Sequence, residues 1–306
     1  MLDRIKSDFF LKMIFKECLI EKTYLEIVRH NKKIQKRISI STQDYKDYYK
    51  IEIILIPVKR EKLKKEKNNF INIKNGEESF FHIYLNNNAE EIMRNYILKN
   101  EDIWKIRIKI DEKIKSLENL FYDCDCLEKV NFIKFNRSDI NNLSKLFYNC
   151  ESINDLNISK VKTNNVINME DIFYECSSLK NLDVSNFNTT KVINMKSMFF
   201  GCSLLKELNL INFDTRNVQN MYCMFYNCSS LKELNLKNFD TSNVNNMYCL
   251  FYGCSSLINL NISNFNFDKV NDVLFMFSGC SIGLKNKIKN ENNYLDEERE
   301  ECFWDY

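Results

Sequence analysis

Twelve cysteines and two histidines are the residues of this 306-residue chain best suited to chemistry, and their spacing decides what chemistry is open to them. The closest cysteines are Cys124-x-Cys126, Cys223-x4-Cys228 and Cys249-x4-Cys254, with no CxxC pair of the kind zinc sites and redox motifs use. His30 and His82 are the only imidazoles, which removes HExxH and most imidazole-based catalysis. Five glycines, at 76, 201, 253, 279 and 283, cannot supply the spacing of a phosphate-binding loop. The sequence therefore predicts no catalytic residues, no metal site and no cofactor, and an enzyme is not expected.

What the cysteines have instead is a period. Cys124, Cys150, Cys176, Cys202, Cys228, Cys254 and Cys280 follow one another at 26 residues without an insertion or deletion. Other columns keep the step. Three residues after each Cys stands Leu127, Ile153, Leu179, Leu205, Leu231 or Leu257, and six and eight after it stand pairs such as Leu208/Leu210 and Leu234/Leu236. This LxxLxL alternation predicts a strand with one buried face. A ladder cysteine on the apolar stripe behaves as a small hydrophobe. Equivalent side chains about 4.8 Å apart are also wider than the Cβ separation of roughly 3.8 Å in a disulfide, so reduced, buried thiols are expected.

The pattern then changes. Val244, Met247, Leu250, Phe251 and Cys254, and their counterparts Val218 to Cys228, fall on one face of a predicted helix. Asp240 to Asn243 offer N-cap side chains, and the slot before the Cys (Asp123, Asn149, Glu175, Gly201, Asn227, Gly253, Gly279) suits a left-handed helix end. Strand, turn, helix and turn cannot bury their stripes alone, so units must stack into an α/β solenoid of about seven 26-residue units, with an N-terminal helical and mixed α/β cap. WKIRIKI, with Trp104/Ile106 in the paired columns, is predicted as the first strand, with Lys105, Arg107 and Lys109 facing out.

NFDTSNVNNMYCLFYGCSSLINLNIS, residues 238 to 263, closely resembles the BspA-like leucine-rich repeats, with their NF(D/N)TxxVxxMxxMFxxCxSLxxLxL form. The resemblance runs over residues 104–285. It implies a leucine-rich-repeat solenoid in a surface or intracellular interaction protein, and it carries over no catalytic residues. The first units depart from the form, with Cys126 at the usual Ser position and Val161 in the Phe column.

The flanks divide the rest into an N-terminal helical element at 1–56, a linker, hairpin and helix at 57–103, and an acidic tail at 286–306. FINIKNGEESFFHIY is predicted as a hairpin around Asn75-Gly76, and NNNAEEIMRNYILKN as a capped helix. Residues 1 to 75 carry 19 Lys or Arg against 10 Asp or Glu, a net of +9, and residues 291 to 306 one Arg against seven acids, a net of −6. The run KREKLKKEK, 59 to 67, lacks aromatic interleaving and is taken as a solvated linker, so no nucleic acid is expected. Lys12 and Lys16 interrupt the first apolar stretch, and no run of about 18 apolar residues exists. A cytoplasmic monomer without a membrane span is the expectation.

Surface residues then carry the function. Asn157, Asp183, Asn209, Asn235 and Asn261 stack on the outward strand position, beside Lys206, Glu207, Lys232 and Glu233. They are the candidate contacts for a protein partner, against the alternative that a stacked amide ladder satisfies its own hydrogen bonds. A rival class makes residues 5–48 an F-box-like element docking a ubiquitin-ligase core, although the usual proline of that motif is missing. A surface adhesin is disfavoured by the missing signal.

Overall fold

The structure is a computed structural model and describes residues 7–8, 31–38, 42–291 and 299–305. The chain divides into two compact units, Met1–Lys50 and Ile51–Tyr306. In the first, Asn31 Oδ1 accepts the Ile34 amide and caps α1 (Lys32–Ile38), which is followed by α2 (Thr42–Tyr49). The F-box-like reading falls mostly on residues outside those described.

The second unit opens with β1 (Ile51–Pro57), whose Ile51, Ile53 and Leu55 are fully buried. It continues through β2 (Lys67–Asn69), β3 (Phe81–Leu85), β4 (Glu91–Ile92), β5 (Tyr96–Leu98), β6 (Ile106–Ile110), β7 (Leu127–Phe135) and β8 (Asp155–Asn157). Six of these form a sheet in the order β4-β3-β6-β1-β7-β8. β1 lies antiparallel between β6 and β7. WKIRIKI is therefore not the first strand of the repeat array: β1 takes the edge of β7, and Trp104 is half exposed rather than core. Arg107 and Lys109 do face outward, against the Tyr84 ring.

Two other local expectations change. The Asn75-Gly76 turn forms, with Gly76 at φ 87° and Glu77 N–H on Lys74 C=O, but its arms do not pair. Phe70 N–H goes to Asn95 and Asn72 N–H to Leu120, while β3 pairs with β6 and β4. Residues 86–100 contain no helix; they hold β4 and β5. Tertiary strand partners overrode a locally helical pattern there.

From β7 onward the register is the 26-residue step read from the sequence. Val130 pairs with Leu156 in parallel, and β9 (Glu233–Asn235) pairs with β10 (Asn259–Asn261) through Leu234 and Leu260. The most continuous pairing lies on the opposite side. Parallel bridges link Ser116, Asn142, Asn168, Asn194, Asn220, Asn246 and Asp272, each to the next.

That side is where helices were predicted, and it has none. Amides 247, 249, 251 and 253 donate to carbonyls 272, 274, 276 and 278 of the next coil, while 250, 252 and 254 donate three residues back. A helix would keep those bonds within the segment. Cys249 and Gly253, at φ 52° and 70°, are left-handed and break any helical run. Overlapping turns place apolar residues at i, i+3 and i+7 just as a helix does, which is why the sequence pattern misled.

The apolar columns are core. Phe121, Phe147, Phe173, Phe199, Phe225, Phe251 and Phe277 are fully buried and stacked, with ring centroids 5.5 to 5.9 Å apart. The ladder thiols also have a task. Cys150, Cys176, Cys202, Cys228, Cys254 and Cys280 each donate S–H to the carbonyl of the Phe in the preceding coil, at 2.9 to 3.2 Å. The eleven described cysteines carry free thiols, and burial pushes Cys126, Cys280 and Cys302 up to about 12.

Residues 301–305 are tied to the last coil. After α3 (Ile282–Glu291), Phe275 and Phe277 donate to the Glu301 and Cys302 carbonyls, and Phe303 stacks on Phe277 at 5.2 Å. Phe303 stands 26 residues after Phe277, so the tail adds one more ring to the column. Lys285 Nζ holds it through Phe303 C=O and Asp305.

Candidate functional site

The strand face is built from side chains that alternate with the buried leucines. Asn209, Asn235 and Asn261 are exposed, while Leu208, Leu234 and Leu260 between them point into the core. Each outward Asn or Asp does local work first. The Oδ1 of Asn157, Asp183, Asn209, Asn235 and Asn261 accepts the amide two residues on, at 2.9 to 3.1 Å, closing an Asx-turn; Asn157, Asn235 and Asn261 end β8, β9 and β10, whereas 181–184 and 207–210 do not form the strand predicted for every unit. These bonds run along each coil rather than between stacked amides.

The sequence-predicted charged residues are brought together. Lys206, Glu207, Lys232 and Glu233 line one shallow depression with Leu208, Asn209 and Asn235. Lys206 and Lys232 occupy one column, and Glu207 and Glu233 the next. Like charges on neighbouring strands are unfavourable. Glu233 accepts from Asn259 Nδ2 at 3.0 Å, but Lys206, Glu207 and Lys232 make no ion pair among the described residues. Asn157 and Asp183 stand further along the same face.

Two residues of this face escaped the sequence reading. Ile211 and Ile258 are each 64% exposed. Their signal was present: Ile258 breaks the column Lys180, Lys206, Lys232, and Ile211 stands between Ser185 and Lys237. A large apolar side chain in an outward column has no folding role to explain it.

On the turn side, the left-handed slot is filled by Asn119, Lys145, Asp171, Ser197, Cys223, Cys249 and Phe275, at φ 49° to 59°. Asp171 is buried, and burial with the neighbouring Glu170 charge raises its carboxyl to about 6. Between the ordinary value of 3.8 and 6 the folded chain holds a proton that the unfolded chain has released, so stability falls as pH rises through that window. Asp171→Asn, which keeps a residue type favoured at positive φ, is expected to raise stability at pH 7 by about 1–2 kcal/mol and to give no gain at pH 4. Thermal melts of the two proteins across pH 4 to 7 check this.

These stacked units with an outward polar strand face define a repeat fold of the leucine-rich type. Residues 115–232 and 168–293 match the family described as Mycoplasma protein of unknown function, DUF285, together more than half the chain, and the chain belongs to that family. It is a BspA-like leucine-rich repeat protein. The crystal structure of a leucine-rich repeat protein of T. pallidum is similar, at 20% identity, covering 58% of this chain and 75% of that one, with a TM-score of 0.38. A leucine-rich repeat protein of Bacteroides ovatus ATCC 8483 is 19% identical and covers 57% of this chain and 46% of its own, with a TM-score of 0.36. No curated protein matches the chain. Among the described residues no helix is long and apolar enough to cross a membrane.

Proposed function

We propose that the chain is a non-enzymatic protein-binding module, a solenoid of about seven units with an N-terminal cap, which takes its partner on the strand face. The observation that carries this reading is the depression lined by Lys206, Glu207, Lys232 and Glu233, where like charges stack across coils beside the exposed Ile211 and Ile258. Holding two lysines and two glutamates in adjacent columns costs the free chain repulsion that a complementary stripe on a partner would remove. Exposed isoleucines beside them supply apolar anchors within a polar rim.

The test compares proteins captured by the full chain, by Lys206→Glu/Lys232→Glu, and by Asn209→Asp/Asn235→Asp/Asn261→Asp. Asp183 already closes the same turn, so the aspartate variant keeps every Asx acceptor, and a melt of each variant measures what the stacked carboxylates cost before binding is compared. Both variants are expected to bind the captured partner at least about tenfold more weakly, a loss of roughly 1.4 kcal/mol. Undiminished binding by both variants would move the site off this face.

A further inference from the structure

Cys223 and Cys249 stand apart from the ladder cysteines. They occupy the left-handed slot of neighbouring coils, at φ 50° and 52°, where the other coils carry Asn, Lys, Asp, Ser or Phe. The Cys223 amide donates to Tyr248 C=O at 2.9 Å, and Asn220 and Asn246, three residues earlier in each coil, form a parallel bridge. The two backbones are thus in register at one coil spacing. A separation of about 4.8 Å lies within the Cα range of roughly 4.4–6.8 Å that disulfides span, and the Cβ atoms, set at the same spacing by the register, must close by about 1 Å to reach the roughly 3.8 Å of a disulfide.

Both thiols are free and stand in one column of neighbouring coils, whereas each ladder thiol from Cys150 to Cys280 is committed to a carbonyl in the core. The half-buried rings of Tyr222 and Tyr248, which precede these cysteines in the chain, stack at 5.3 Å over this side of the array. The pair also differs electrostatically. Cys249 is held below the ordinary thiol value, chiefly by the Cys223 thiol, with burial opposing, while Cys223 is pushed up by the same contact. Ladder thiols are all pushed up by burial.

We propose that Cys223 and Cys249 are a dithiol modification site that closes to an intramolecular disulfide by exchange with a low-molecular-weight disulfide. The Cys249 thiolate attacks one sulfur of the small disulfide, forming a mixed disulfide and releasing one small thiolate. Cys223, having given its proton to solvent, attacks the Cys249 sulfur and expels the second small thiolate. Two protein thiols are oxidised by two electrons, and one small disulfide is reduced to two thiols. Both cysteines are 3% exposed, so exchange requires a local opening of this side of the array.

The full chain is incubated with oxidised glutathione under native conditions, alkylated in denaturant, digested, and its peptides weighed. The expected product is a Cys223–Cys249 linked peptide, formed at least about tenfold faster than modification of any ladder cysteine, and lost on reduction. Cys223→Ser is expected to stop at the Cys249–glutathione mixed disulfide, because no second thiol resolves it. Absence of the linked peptide from the folded wild-type chain, or oxidation of ladder cysteines at the same rate, overturns the proposal.

Discussion

Phe225→Ala lowers the stability of the array by about 3–5 kcal/mol in urea unfolding. The ring is fully buried between Phe199 and Phe251, at centroid distances of 5.7 and 5.6 Å. Its loss removes the transfer energy of one side chain and also interrupts a column that runs from Phe121 to Phe303. Each coil of a repeat protein touches only its neighbours, so a gap in the middle uncouples the two halves. Phe303→Ala, at the end of the same column and against one ring only, is expected to cost less. Equal losses at the two positions would mean that the column is not a continuous core.

Arg137→Ala is expected to cost a similar amount, about 3–5 kcal/mol, for a different reason. Position 137 belongs to the column Thr163, Thr189, Thr215 and Thr241, whose hydroxyls donate to and whose oxygens accept from the next coil. Arg137 reaches the other way. Its guanidinium, 1% exposed, donates to the carbonyls of Asp111 and Ile114 and to both oxygens of Asp139, and so ties the start of the array to the chain before it. Alanine leaves those two carbonyls without their donor, and Arg137→Lys cannot reproduce the fork.

Acid pH distinguishes this from a simple packing loss. Burial pushes the Asp139 carboxyl up, but hydrogen bonds from Arg137 and Lys115 outweigh it and hold the group down to about 2. A depressed carboxylate contributes stability above its ordinary value of 3.8 that is lost as pH falls through 2. The gap between wild type and Arg137→Ala should therefore narrow as urea unfolding is repeated from pH 4 down to pH 2. A constant gap would assign the whole effect to the two carbonyls.

The repeat was legible because it is covalent: Cys124 to Cys280 at 26 residues imposes the register that Val130 and Leu156, or Leu234 and Leu260, then show as parallel partners. The turn between Lys74 and Glu77 was legible for the same kind of reason, since Asn75-Gly76 encodes its geometry locally. The candidate face was half legible. Alternation put Asn209, Asn235 and Asn261 outside, but only the folded chain shows that their oxygens are already engaged in Asx-turns, that Lys206 to Glu233 share one depression, and that Ile211 and Ile258 are exposed.

The sequence by itself determined the period, the columns that are core and the face that is wet, because each depends on side-chain type at a fixed step. Tertiary structure alone decided where the backbone hydrogen bonds go. Amides 247 to 253 could have closed a helix, but left-handed residues at Cys249 and Gly253 turn alternate amides toward the next coil. The ends were decided in the same way. β1 comes from far upstream to cover β7, and Phe303 returns to the Phe column after α3 has interrupted the repeat. Such pairings depend on which strand or ring is present to satisfy an open edge, and that partner is set by the folded chain rather than by local pattern.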